Sequence, residues 1–122
     1  MKFMTMVHET NRPTAEPPME LFAAIGALQA KATADGTFVE AGGLLPMEHA
    51  GAIVTLAGNS LTTTDGPFVE VKELVGGYAL YDLPDLETAV QKAEAFLQVH
   101  RDAWPGWEGW VEVRGLFEAP AP

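Results

Sequence analysis

The spacing of apolar residues in this chain alternates between a period of two and a period near 3.6, and the order of those periods limits its fold more than any single residue does. From Met1 to Val7, Phe3, Thr5 and Val7 fall on one face and Met4, Met6 and His8 on the other, the pattern of a strand covered on both sides. Residues Glu9 to Pro18 hold Pro13, Pro17 and Pro18, which predicts an irregular, mobile connection, because proline donates no ladder hydrogen bond. From Pro17 or Pro18, Leu21, Ala24, Ile25, Leu28 and Ala32 recur at helical spacing; Glu20 suits the first turn, and Gly36 after Asp35 supplies a left-handed stop. Thr37 to Gly43 reads as a second strand whose closing glycine pair implies a bulge or a close backbone approach. Leu44 to His49 shows no clear period. Ala52–Ala57 and Leu61–Thr64 flank Gly58-Asn59 and predict a hairpin. After the turn Asp65-Gly66-Pro67 and a short extended piece from Phe68 to Lys72, Gly76-Gly77 opens a strand over Tyr78–Leu83. Leu86, Ala89, Val90, Ala93, Phe96 and Leu97 then form the stripe of a second helix, with Asp85 and Glu87 at its start and His100 and Arg101 as cations at its end. Trp104-Pro105-Gly106 stops that helix. Trp110 to Phe117 closes the chain as a strand, with Val111, Val113 and Phe117 opposite Trp110, Glu112, Arg114 and Leu116.

Strand, helix, strand, hairpin, strand, helix, strand is an α+β class chain: a ferredoxin-like split βαβ arrangement with an inserted β-hairpin and both helices on one sheet face. The opposite face, carrying Trp110, Glu112, Arg114 and Leu116, is too apolar for free solvent and too charged for a dry core. A second protomer's sheet is its natural cover, which predicts a homodimer with a cleft between the sheets. Residues 1–118 read as one domain and 119–122, Ala-Pro-Ala-Pro, as a disordered tail.

Charge then narrows the partners. A net charge of −10 over 122 residues repels phosphate backbones and anionic lipid, which argues against nucleic acid and against a membrane surface. The absence of cysteine removes disulfides, thiol nucleophiles and thiolate metal sites, and it fits a reducing cytoplasm. The residues from Met1 to His8 read as a first strand rather than a cleaved leader, and no apolar run reaches the roughly 18 residues of a membrane helix. His8, His49 and His100 have no metal-ligand spacing, so neither a metal nor a cofactor is expected.

One motif is sharper than these patterns. Thr64-Asp65-Gly66-Pro67-Phe68, followed by Val69-Glu70-Val71-Lys72-Glu73 and Gly76-Gly77-Tyr78, resembles the YCII-related family in its DGPF branch. Lys2-Phe3-Met4, Leu83-Pro84-Asp85-Leu86 before Glu87-Thr88-Ala89, and Val111-Glu112-Val113-Arg114 stand in the family's order across nearly the whole chain. The resemblance implies a dimeric α+β barrel of ferredoxin-like protomers, similar to muconolactone isomerase, although the DGPF branch has no generally established reaction. It departs from the branch where Gly115, rather than proline, follows Arg114. A His and Asp pair is proposed as the acid-base site of the broader family; the resemblance matches Asp65 to the aspartate and does not single out a histidine partner. It also implies a regulatory setting near extracytoplasmic-function sigma factors.

From the residues themselves, Asp65 is a catalytic candidate, since apolar neighbours such as Phe68 can raise a turn carboxylate into the range useful for proton exchange. The bland alternative is a carboxylate that fixes its own turn. His8 can carry a proton in the inter-sheet cleft or be a satisfied edge histidine. Arg114 can clamp a ligand carboxylate in two-point contact or pair with one of the chain's own acids. Tyr78 and Tyr81 lie on opposite faces, so at most one lines the cleft; Tyr78, with Phe68 and Arg114, completes the substrate-binding candidates. The tryptophans at 104, 107 and 110 can form a ligand lid or cover the end of the second helix. Two functions follow: a small enzyme moving protons on a carbonyl or lactone-like metabolite, or a non-catalytic module that binds a small ligand or a protein.

Overall fold

The computed structural model describes residues 1–64 and 74–118. In chain order the elements are β1 (Lys2–Asn11), α1 (Met19–Ala34), β2 (Phe38–Gly43), α2 (Met47–Ala50), β3 (Ile53–Ala57), β4 (Ser60–Thr64), β5 (Leu74–Asp82), α3 (Leu86–Ala103) and β6 (Glu108–Gly115). A four-stranded sheet has the order β2-β5-β1-β6 with every neighbour antiparallel, and β3 and β4 form a separate two-stranded ribbon. This is the ferredoxin-like α+β topology. The Asp65–Phe68 motif, with Asp65 and Phe68 themselves, and the tail at 119–122 lie outside the described residues. No helix among the described residues is long and apolar enough to cross a membrane.

Both long helices cover the sheet face that carries Phe3, Thr5 and Val7. Phe3, Leu83 and Ala89 form one buried cluster with Tyr81 and Val113 against it, and Leu21, Trp104 and Trp107 form a second with Val7, Ile25 and Leu97. The N-terminus of α3 is capped by Asp85, whose carboxylate accepts from Thr88 N–H at 2.9 Å and Thr88 Oγ1 at 2.6 Å; these bonds hold its pKa below the ordinary value.

Several boundaries differ from the sequence expectation. β1 continues to Asn11 instead of giving way to a loop at Glu9, because β6 offers it Glu108 and Gly109 as pairing partners and Asn11 Nδ2 donates to Gly106 O at 2.8 Å. β5 starts at Leu74, so Gly76-Gly77 sits inside the strand rather than opening it. Close approach explains the pair: a Cβ on Gly77 would stand 3.0 Å from Gly42 O. β6 begins and ends two residues earlier than expected, leaving Phe117 beyond the strand and 89% exposed. The α3 stripe is narrower too, with Leu86 and Val90 exposed and Ala89 and Ala93 buried.

His100 is not the exposed cation expected at the end of α3. It is 6% exposed, lies between Phe96 and Trp107, and donates from Nδ1 to Phe96 O at 2.9 Å. The chain turns back at Trp104 and lays Trp107 over it. Burial pushes its pKa below 6.5, opposed by the Phe96 bond and the charge of Glu9. The folded state therefore prefers neutral His100, and this contribution is complete above about pH 6.5 and lost as pH falls through the lower folded value. Urea midpoints are expected to fall between pH 7.5 and pH 5, and the fall should be smaller in His100→Gln; equal falls in both proteins would show that His100 plays no part.

Candidate functional site

The face turned away from the helices is built by strand register. Side chains opposite one another across paired strands share a face, so Met6 lies in one row with Tyr78 and Glu112, and Met4 in the next with Leu80 and Arg114. His8 and Trp110 form a third row, beside Val75. The centre of this face is apolar and its two flanks carry the polar groups.

On the β6 flank three side chains meet. His8 Nε2 stands 3.3 Å from Glu112 Oε1, and Arg114 Nη1 stands 3.5 Å from Glu112 Oε2, so one carboxylate serves both. A carboxylate only accepts, which places the proton of this contact on His8 Nε2 and leaves Nδ1 as the basic nitrogen. Nδ1 has no hydrogen-bond partner among the described residues. The imidazole lies flat on the Trp110 indole, with centroids 3.9 Å apart and planes at 5°, so stacking and the Glu112 contact together fix the ring. The His8 side chain is only 13% exposed, whereas that of Arg114 is 71% exposed and keeps most of its donor fork toward solvent. The arrangement holds a proton carrier in place beside a cation able to grip a carboxylate.

On the other flank Tyr78 donates its hydroxyl to Glu40 Oε2 at 3.1 Å. That bond, with the charge of Glu40, raises the phenol's pKa and keeps it protonated. Gly42 makes room for the ring, since a Cβ there would meet Tyr78 Cε1 at 3.0 Å. Tyr78 stands on β5, next to the β1 strand of His8, and β1 separates it from Glu112 and Arg114 on β6 by two strand spacings, about 10 Å. Tyr81 points the other way, into the helix-side core.

The structure thus brings His8 and Arg114 together through Glu112, leaves Tyr78 on the opposite flank, and does not describe Asp65 or Phe68. Glu112 and Glu40 belong to the site although sequence reasoning selects neither as a site residue, and Trp110, read there as part of a ligand lid or of the helix cover, belongs to it as the ring under His8. Alternation alone puts Glu112 and Trp110 on the face of Arg114, but their meeting with His8 depends on β6 pairing with β1. The three tryptophans divide: Trp104 and Trp107 are buried over the end of α3, and Trp110 is on the open face. Among the described residues no three His, Asp or Glu side chains gather as metal ligands. Two surface depressions lie elsewhere, one at Met1 and Gly115–Glu118 and one between α1 and α3 at Glu20, Ala24, Val99 and Asp102. Neither includes His8, Glu112 or Arg114.

No curated protein matches the chain closely enough to count as a relative. A family model described as the YCII-related domain matches residues 1–104, most of the chain and five of the six strands and helices that make up the helix-covered sheet. The order of strands in the sheet, the helices on one face and this match agree, and the chain belongs to the YCII-related domain family.

Proposed function

We propose that this protein is a small acid-base enzyme acting on a carbonyl or lactone-like metabolite, at a site on the open sheet face that a second copy covers. His8 is the proton carrier, Glu112 the positioning residue that fixes its tautomer and plane, and Arg114 the clamp for a substrate carboxylate. Asp65 stands as a further acid-base group on the strength of the motif alone. The observation that carries the reading is the 3.3 Å contact of His8 Nε2 with Glu112, made while the ring is stacked on Trp110. In the proposed step the C–H bond next to the substrate carbonyl breaks, its electron pair moves toward the carbonyl oxygen, and His8 Nδ1 takes the proton and later returns it.

Hydrogen exchange tests this step whatever the final product is. Small keto acids and lactones are incubated with the protein in D2O, and loss of the C–H signal beside the carbonyl is followed by proton NMR. Exchange by the wild type that His8→Gln slows by about 10²–10⁴ is the expected result. Ligand-induced shifts of His8 resonances without exchange on any compound would overturn catalysis and favour a non-catalytic binding module, a reading supported by the fact that His8 and Arg114 each already pair with Glu112 of the same chain.

A further inference from the structure

Among the described residues, the ribbon formed by β3 and β4 packs extensively on no helix and on no strand of the four-stranded sheet. All ten residues of its strands are exposed, and its extensive packing is of one strand on the other. An isolated two-stranded hairpin is marginally stable in water and holds its shape by seating a face on something else. Its register gives it such a face. Val54 opposite Thr63 and Leu56 opposite Leu61 lie on one side, with Val54, Leu56 and Leu61 exposed by 67%, 67% and 73%. Thr55 opposite Thr62 and Ala57 opposite Ser60 lie on the other.

Charge identifies what fits that side. Between Ala41 and Thr64 the only formally charged residue is Glu48, in a chain of net charge −10. There is no lysine or arginine in this stretch to hold an anionic lipid surface. A strongly cationic partner would find the rest of the chain more attractive than this neutral arm. The arm is the part of the molecule that can meet another equally acidic copy with least repulsion. It is also rooted beside the candidate site: the chain leaves the sheet after Gly43, where Leu44 N–H bonds to Gly76 O at 3.0 Å, and re-enters at Leu74 and Val75, the residues paired with Glu9 and His8.

We propose that the Val54–Leu56–Leu61 face of the ribbon is an exchanged arm that seats on a second copy of this chain, so that each copy's His8 site is flanked by structure from its partner. The proposal rests on the reading that the open face is a two-copy site, and the two can fail separately. Sedimentation equilibrium is run on the wild type, on Leu56→Asp with Leu61→Asp, on Thr55→Asp with Thr62→Asp, and on Met6→Asp, with circular dichroism confirming that each is folded. The arm side chains are exposed in the single chain, so their replacement leaves its core intact. The wild type is expected to be a dimer, and the leucine pair of substitutions to raise its dissociation constant at least about a hundredfold. The threonine pair adds the same charge on the other side and should change it by less than about threefold, well under the 1.4 kcal/mol of a tenfold change. A leucine variant that dimerises as well as the wild type overturns the arm, as does equal weakening by both pairs. If Met6→Asp alone dissociates the dimer, the open face is the interface and the arm is not part of it; if only the leucine variant does, the arm stands and the open-face reading falls. A monomeric wild type overturns both.

Discussion

Trp107→Ala is expected to lower the unfolding free energy by about 3–5 kcal/mol, a large part of the roughly 5–15 kcal/mol that holds a domain of this kind together. Trp107 is 8% exposed and packs with Leu21 and Trp104, and its ring covers His100 at a centroid distance of 4.3 Å. Its removal opens a cavity at the point where α1, α3 and the start of β6 meet. The indole is also tied by a hydrogen bond, Nε1 donating to Glu9 Oε2 at 2.8 Å. Trp104 supplies the comparison. It is as deeply buried, at 5% exposed, but its Nε1 has no hydrogen-bond partner among the described residues, and Arg12 lies over its ring at 5.3 Å instead. Tryptophan to phenylalanine removes similar volume at both positions and a made hydrogen bond only at Trp107. Trp107→Phe should therefore be less stable than Trp104→Phe by about 1.5–3 kcal/mol, the range for a hydrogen bond to a charged acceptor. Urea unfolding of the two variants measures the difference directly, and equal losses would mean that the Glu9 contact contributes nothing net.

The same corner shows what the chain reveals of itself and what it withholds. Alternation along residues 110–114 sorts side chains between the two sheet faces, and three-and-four spacing locates both long helices, because these patterns are local. The extension of β1 to Asn11 is not local. Thr10, Asn11 and Pro13 read as a loop by composition, and β1 is drawn on as far as Asn11 by Glu108 and Gly109, about a hundred residues later. Gly109 has no room for a side chain there, since a Cβ would stand 2.5 Å from both His8 O and the Trp107 ring. His100 escapes sequence reading for the same reason: the helix dipole favours a cation at its position, but the returning Trp107 excludes water from it. In the candidate site, the faces of His8 and Arg114 are readable from alternation. The carboxylate they share is not, because Glu112 meets His8 only once strand order and register are known.

The sharing of Glu112 sets the expected pattern of activity losses, and the largest is that of His8→Gln. Glutamine keeps a donor that can reach Glu112 but cannot take up a proton, so carbonyl-adjacent deuterium exchange should fall by about 10²–10⁴ in kcat. Glu112→Gln leaves an oxygen to accept from His8 Nε2 and removes the charge that favours the imidazolium formed during transfer. Its loss should be smaller, about 10–10², again in kcat. Arg114→Ala should act differently. Arg114 touches the site through its exposed donor fork, which would grip substrate and transition state alike, so KM should rise by about tenfold with kcat nearly unchanged. Arg114→Lys should recover only part of that rise, because an ammonium cannot reproduce the two-point contact. Tyr78→Phe, which removes a hydroxyl already bonded to Glu40, should raise KM less than Arg114→Ala. A structural role for His8, Glu112 and Arg114 would give a different pattern: losses in step with falling thermal stability and no separation of kcat from KM. If Arg114→Ala lowers kcat as much as His8→Gln does while both proteins remain folded, Arg114 takes part in the proton transfer itself and the division of roles is wrong.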